Sequence, residues 1–303
     1  MNYEHIYHAG NFADVAKHLG LLYCLDSLQR KETPFLVLDT HAGRGRYDLQ
    51  APEARKSGEG ERGVQLLVQK AGAAQGGAVT GSRRTRAKDP GFATAGVLAR
   101  YLTAIGARPG KRLAVYPGSA ALIAAALRPQ DRAVFVELMP AEARALLREV
   151  GSAGRLKTLI EDGYAVLKAS VPPPERRGLV LIDPPYESLD EFKTLLQAFA
   201  DAHRRWPSGT YLMWYPIRSA AQRRQVHSRF EALGIPKLLY ADLAIHPDDA
   251  GVGLAGSGLM IANPPYGADE FLAEAYGRLH ELIGTPAMGY VEVARLTPER
   301  VAS

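Results

Sequence analysis

Three stretches of this chain are apolar without a break and end on an acid. Phe35-Leu-Val-Leu runs into Asp39, Ala133-Val-Phe-Val into Glu137, and Leu179-Val-Leu-Ile into Asp183. A fourth, Thr158-Leu-Ile-Glu161, ends at Asp162-Gly163. Short unbroken apolar runs bounded by turn residues predict strands covered on both faces. Between them the apolar residues recur at helical spacing. Val15, Leu19, Leu22, Leu25 and Leu28 predict a helix from about Ala13 to Arg30, with Pro34 beyond it. Val115-Tyr-Pro-Gly118 leads into a helix through Leu127, with Ser119 placed as its N-cap. Further helices are predicted from Pro140 to about Val150, from Gly163 to Ser170, from about Asp190 to Arg205 and from Ala220 to Leu233. Thr210 to Tyr215, Lys237 to Ile245 and Leu259 to Asn263 read as the remaining strands, the last of the sheet.

Alternating strands and helices predict an α/β fold, a mostly parallel sheet with helices on both faces. Ligands of such sheets bind outside the carboxyl ends of the strands. One acid at a strand end is unremarkable; Asp39, Glu137, Asp162 and Asp183 at successive ends outline a cleft. Glu137 is placed to hold the two hydroxyls of a ribose, and Asp162 an adenine amino group.

Residues 50–112 interrupt the rhythm. Ala71 to Gly81 is rich in Ala, Gly and Gln, and Arg83, Arg84, Arg86 and Lys88 follow at once. This composition suits a mobile basic loop better than a core element, whereas Val97 to Ile105 has a helical pattern. The expected organisation is a first segment, 1–49, carrying an N-terminal motif and the first strand; an inserted subdomain of helix and loop, 50–112; and the rest of the main domain, 113–303. RNA contact and a solvated spacer are both open as the role of the insertion.

Composition adds bounds. A chain of 303 residues can bury a full core. A net charge of +5 leans mildly toward polyanionic partners. The single cysteine, Cys24, excludes an internal disulfide framework and sits in an apolar helical stretch. The first twenty residues do not have the pattern of a signal peptide, and no apolar run approaches the roughly eighteen residues of a membrane span. A cytoplasmic protein is expected, without a membrane or an obligate protein partner, and monomeric.

The chemistry concentrates in Asp183-Pro184-Pro185-Tyr186. Two prolines stiffen the turn and leave its carbonyls available as acceptors. The Asp183 carboxylate and the Pro184 carbonyl can together take the two N–H bonds of an exocyclic amine, and Tyr186 offers a flat face to an extruded base. Upstream, Asp39-Thr-His41-Ala-Gly43-Arg-Gly45 joins a strand-end acid to a glycine turn of the kind that approaches a nucleoside closely, although Gly-x-Gly alone is a weak signal. Tyr3, His5, Tyr7, His8 and Phe12 crowd rings around Gly10 and Asn11, with Lys17 and His18 early on the first helix. His5-x-x-His8 has a spacing that metals accept, but no cysteine joins it and His-Glu-x-x-His is absent, so a loop gripping substrate or cofactor is preferred to a zinc site.

Taken together, His8-Ala-Gly-Asn11, Lys17-His18, Leu38-Asp-Thr-His-Ala-Gly43, Tyr116-Pro-Gly-Ser119, Glu137 and Leu181-Ile-Asp-Pro-Pro-Tyr-Glu187 resemble the RlmJ family. These are bacterial methyltransferases that place a methyl group from S-adenosylmethionine on N6 of an adenine in 23S ribosomal RNA. The resemblance runs from Tyr3 to about Pro265 and departs from the family mainly between about Gly72 and Phe92, where this chain is longer and rich in Ala, Gly and Arg. It implies a class I, Rossmann-like methyltransferase fold with an inserted subdomain, S-adenosylmethionine as cofactor and 23S ribosomal RNA as partner. It also implies cofactor contacts by Lys17, His18, His41, Gly43, Ser119, Glu137, Asp162 and Gly163, RNA contact by Tyr3, and Asp183, Pro184 and Tyr186 as the catalytic motif. A DNA adenine methyltransferase, a non-catalytic RNA-binding module and a histidine-based metal enzyme are the rival classes. Asn263-Pro-Pro-Tyr266 is a second motif of the same shape. In a class I fold its strand runs antiparallel and ends on the edge away from the cofactor, so Asn263 is expected to be structural.

Overall fold

The computed structural model describes residues 4–76, 96–188, 190–247, 251–284 and 288–299. Its centre is an eight-stranded sheet: β1 (Leu36–Asp39), β2 (Arg132–Val136), β3 (Leu156–Leu159), β4 (Gly178–Ile182), β5 (Thr210–Ile217), β6 (Leu238–Ala244), β7 (Gly256–Ala262) and β8 (Tyr290–Thr297). The strands lie in the order β8-β6-β7-β5-β4-β1-β2-β3. The five from β5 to β3 are parallel neighbours, with Leu38 beside Val134 on one side and Val180 on the other. β7 is inserted antiparallel between β5 and β6, and β8 closes the edge antiparallel to β6. This is the reversed strand expected for Leu259 to Asn263.

β1 and β4 are buried along their whole length, which is why their sequences are unbroken apolar runs. Alternate side chains go to opposite faces. Val37, Leu179 and Leu181 enter one core; Leu36, Leu38, Val180 and Ile182 enter the other. The first core is covered by α1 (Phe12–Gln29), α5 (Ser119–Ala126) and α10 (Ala268–Ile283). The second is covered by α7 (Gly163–Ser170), α8 (Glu191–Arg205) and α9 (Ala220–Glu231), while α6 (Pro140–Val150) crosses from β2 to β3.

Three expectations are corrected. Among the described residues the main sheet has one more strand than the pattern predicts, β8, whose half-exposed edge residues include Glu292 and Arg295. Ser119 does not cap α5: Gly118 does, and Ser119 is the first helical residue with its hydroxyl turned to Asp39. The start of the Ala/Gly-rich stretch is helix, not loop, since α3 (Leu66–Gly76) runs through it and Ala71 is buried. Arg83, Arg84, Arg86 and Lys88, and with them the proposed basic loop, lie outside the described residues.

Within 50–112 the chain forms α2 (Pro52–Ser57), α3 and α4 (Ala99–Ala104). Val64, Leu67, Val68, Leu98, Tyr101 and Leu102 are buried in the same core as α1 and α10. Val115–Pro117 pairs with Arg46–Asp48 as a two-stranded ribbon apart from the main sheet, bringing both ends of segment 50–112 beside the glycine turn after β1.

Candidate active site

The site is built on α1, which buries thirteen of its eighteen residues, Asp14, Lys17 and His18 among them. Charges placed so deep need partners. Asn11 caps the helix, its Oδ1 accepting from the Asp14 N–H at 2.9 Å. The Asp14 carboxylate accepts from His5 Nε2 at 3.0 Å, from the Gly10 N–H at 2.9 Å and from Lys17 Nζ at 3.0 Å. Lys17 Nζ also donates to Asp183 Oδ2, so one ammonium joins the carboxylate beneath it to the one at the end of β4. Burial alone would raise the Asp14 carboxyl; the charges of His5 and Lys17 outweigh it and hold the group well below the usual range. Burial likewise works against the Lys17 charge, but Asp183 and Asp14 raise its pKa.

The remaining predicted residues line the same sheet edge. Burial pushes the Asp39 carboxyl up to about 7, against the hydrogen bond it accepts from Ser119 Oγ at 2.7 Å. Gly43, at φ +61°, donates its N–H to Glu137 Oε2 at 3.0 Å, while the Met139 N–H donates to Oε1 at 2.8 Å. A Cβ on Gly43 would lie 2.2 Å from the Tyr47 hydroxyl, so both its conformation and the space require glycine. Burial raises the Glu137 pKa in spite of those two donors. Asp162 caps α7 through Oδ1, which accepts from the Ala165 N–H at 2.8 Å. Gly163 begins that helix pressed against Thr40: an added Cβ would meet the Thr40 carbonyl oxygen at 2.1 Å. His41 accepts or donates through Nδ1 to Thr40 Oγ1 at 2.8 Å, meets the Tyr164 ring edge-on, and is pushed by burial to about 4.

At the end of β4, Pro184 is buried and Tyr186 is half-buried at φ +52°. The Tyr186 hydroxyl donates to the Trp214 carbonyl at 2.6 Å and its ring meets the Trp214 ring edge to face, which fixes the turn after Asp183. Tyr3 lies outside the described residues. His5 and His8 do not converge on one point: His5 reaches Asp14, and His8 pairs with Glu59 at 2.9 Å. Asn263 sits on the opposite edge, its Nδ2 donating to the carbonyls of Pro207 and Gly209 at 2.8 Å each, beside the start of β5. That is the structural role expected of it.

Lys17 was expected at the cofactor, and the structure sets it against Asp183. Asp14 carries no expectation in the sequence, though the spacing Asn11-x-x-Asp14 before Lys17 is a helix-start signal that places a carboxylate one turn from the lysine. Two observations bear on a nucleoside-bearing cofactor. His18 Nε2 is a buried ring nitrogen with no partner among the described residues. Leu138 and Ile160, directly after β2 and β3, are 60% and 53% exposed, apolar flanks for a flat ring between Glu137 and Asp162.

The family model described as ribosomal RNA large subunit methyltransferase D, RlmJ, matches residues 32–79 and 75–297. Two proteins named ribosomal RNA large subunit methyltransferase J, from Haemophilus influenzae and Escherichia coli, are 35% and 34% identical over 301 residues, covering 99% of this chain and all of theirs. A crystal structure of a Legionella pneumophila protein superposes with a TM-score of 0.80 at 30% identity, covering 95% of this chain and 98% of that one.

Proposed function

The chain belongs to the RlmJ family of ribosomal RNA large subunit methyltransferases, and from that premise we propose that it methylates N6 of an adenine in 23S ribosomal RNA. It is an S-adenosylmethionine-dependent enzyme of the class I fold. The observation that carries the reading is the ion pair of Lys17 with Asp183 at the mouth of the strand-end cleft.

His18, His41, Gly43, Ser119, Glu137, Asp162 and Gly163 are the residues that would hold the cofactor, and the orphaned Nε2 of His18 and the apolar flanks Leu138 and Ile160 fit such a group. When bound, S-adenosylmethionine supplies an electrophilic methyl group already attached to a good leaving group. The protein's task is therefore to aim the acceptor nitrogen. Lys17 donates to Asp183 Oδ2, a charge-assisted hydrogen bond that fixes the direction of the carboxylate. Asp183 and the Pro184 carbonyl take the two N–H bonds of the adenine amine and turn its lone pair out of conjugation with the ring. Tyr186, anchored on Trp214, provides the face for the base. Asp183 need not be a strong base, because the nitrogen becomes acidic once alkylated. The net charge of +5 suits an RNA substrate.

The test is incubation with tritiated S-adenosylmethionine and protein-free 23S RNA from cells lacking the modification, followed by digestion to nucleosides. Label in N6-methyladenosine is expected, and none with Asp183→Ala. Label on duplex DNA but not on RNA would discard the RNA substrate and leave the methyltransferase.

A further inference from the structure

A buried chain of three side chains links the insertion to the first helix. The Tyr101 hydroxyl, on α4, lies 3.1 Å from that of Tyr116 on the ribbon, and the Tyr116 hydroxyl lies 2.8 Å from His18 Nδ1. All three residues are at most 1% exposed. The Tyr116 ring packs nearly parallel to the imidazole, their centroids 5.6 Å apart. The far ring nitrogen, Nε2, ends the chain without a partner among the described residues.

The hydrogens of such a chain can run in two directions. Running outward, Nδ1–H donates to Tyr116 and Tyr116 donates to Tyr101. That leaves the Tyr101 hydrogen buried without an acceptor and Nε2 a bare acceptor, two unmet groups. Running inward, Tyr101 donates to Tyr116 and Tyr116 donates to Nδ1, so every hydroxyl hydrogen is used. The Nε2 hydrogen is then without an acceptor and the Tyr101 oxygen without a donor, so each direction leaves two unmet groups. The bond to the ring decides. A phenol O–H is a stronger acid than a neutral imidazole N–H, and an imidazole nitrogen a stronger base than a phenol oxygen. O–H···N is therefore the better bond and the inward direction wins. It also places the unmet donor at Nε2, where an acceptor of the cofactor can take it. Burial, reinforced by the Lys17 charge, pushes His18 to about 3, which leaves one ring hydrogen to place.

We propose that Tyr116, backed by Tyr101, is a positioning residue that fixes His18 as the tautomer with its hydrogen on Nε2, ready to donate to an acceptor atom of the bound cofactor. The inference rests on the reading of His18 as a cofactor contact. It gives the insertion a part in cofactor recognition: Tyr101 belongs to α4, and its hydroxyl, donating to Tyr116, strengthens the bond from Tyr116 to Nδ1. Tyr101 acts at one remove, so its removal weakens the bond to Nδ1 without abolishing it.

The test uses protein labelled with ¹⁵N-histidine and free of cofactor, because two-bond proton–nitrogen correlation reads the tautomer of each ring directly. His18→Gln assigns the signal. The wild-type ring is expected to carry its hydrogen on Nε2, and S-adenosylhomocysteine is expected to shift that N–H resonance. Tyr116→Phe should populate both tautomers and weaken S-adenosylhomocysteine binding about tenfold, the loss of one net hydrogen bond. Tyr101→Phe should move the Nδ1 signal and weaken binding by a smaller factor. A wild-type ring with its hydrogen on Nδ1, or a Tyr116→Phe protein whose His18 signals and affinity are unchanged, overturns the proposal. If Tyr116→Phe does not fold, an unmoved Nδ1 signal in Tyr101→Phe does so. The tautomer is read without ligand, so failure of S-adenosylhomocysteine to bind at all counts against the cofactor reading and not against the chain of hydrogens.

Discussion

Lys17 and Asp183 are 166 residues apart in sequence and joined by an ion pair, with the buried Asp14 on the other side of the same ammonium. Replacing Lys17 with Met would leave the Asp14 and Asp183 carboxylates facing one another with no cation between them. Removing one partner of a buried ion pair typically costs about 3–5 kcal/mol. Lys17→Met is therefore expected to lower the thermal midpoint by several degrees and to abolish methyl transfer even in the folded fraction. A stable, active Lys17→Met enzyme, in melting and single-turnover assays, would break the link between this pair and catalysis.

Asp183→Ala separates chemistry from binding. The carboxylate is partly exposed and, among the described residues, its hydrogen bond is to Lys17 and not to the glycine turn, so its loss should reduce turnover by about 100-fold or more while leaving S-adenosylhomocysteine affinity within about threefold of wild type. Calorimetry alongside single-turnover rates checks both halves. Equal losses in affinity and rate would move Asp183 from the acceptor's side of the site to the cofactor's.

The glycine turn is tied to α6 by Arg44, whose Nε and Nη2 donate to the two oxygens of Glu142 at 2.8 and 2.6 Å. The neighbouring Gly43 N–H holds Glu137, so the clamp sets where the Glu137 carboxylate points. The pair is about a quarter exposed and its contribution is screened accordingly, to about 1 kcal/mol. Arg44→Ala should raise the KM for S-adenosylmethionine about fivefold with kcat little changed, and Arg44→Lys should recover part of it. A fall in kcat at constant KM would place the clamp in the chemical step.

Asp39 predicts a pH dependence of stability. Its carboxyl titrates at about 7 in the fold and at about 4 in an unfolded chain. Between those values the folded state holds the extra proton, so stability falls as pH rises through the window and the loss is complete above about 7. Asp39→Asn keeps an acceptor for Ser119 and removes the titration. Melting curves from pH 5 to pH 8 should therefore slope less for the variant than for the wild type. Parallel slopes would show that Asp39 ionises normally.

Strands buried on both faces were legible because nothing polar interrupts them, and the Asp-Pro-Pro-Tyr turn was legible because it follows at once on such a strand. What the sequence hid was nonlocal or lay at an edge. Nothing near Lys17 says that its partner is at position 183. β8 has no fully buried residue, and its exposed Glu292 and Arg295 fall three apart, so it lacks the period of two that marks a strand. Ser119 has the right type and position for a cap, but the buried carboxyl of Asp39 needs a partner and takes the hydroxyl. Tyr116 belongs to a motif, Tyr116-Pro-Gly-Ser119, but nothing there says that its hydroxyl joins Tyr101 to His18, since that depends on three elements converging.

The second Asn-Pro-Pro-Tyr motif offers the sharpest contrast between resemblance and place. Asn263 ends an antiparallel strand whose final residue, Ala262, pairs with Tyr211 at the start of β5, on the edge opposite Asp183. Its side-chain N–H groups bridge the Pro207 and Gly209 carbonyls, and its backbone sits at φ +52°, a region that Asn tolerates and most residues do not. Asn263→Asp keeps the conformation but turns an oxygen toward carbonyls that need donors. The lost bonds and new repulsion should destabilise the fold by about 2 kcal/mol, a drop of several degrees in the melting midpoint. Asn263→Gly suits the backbone and loses only the two bonds, so it should fall between the variant and the wild type. Both should transfer methyl groups at the wild-type rate per folded molecule, because neither side chain reaches the cofactor edge. A rate collapse at an unchanged melting midpoint would mean that the antiparallel motif, and not Asp183, presents the acceptor.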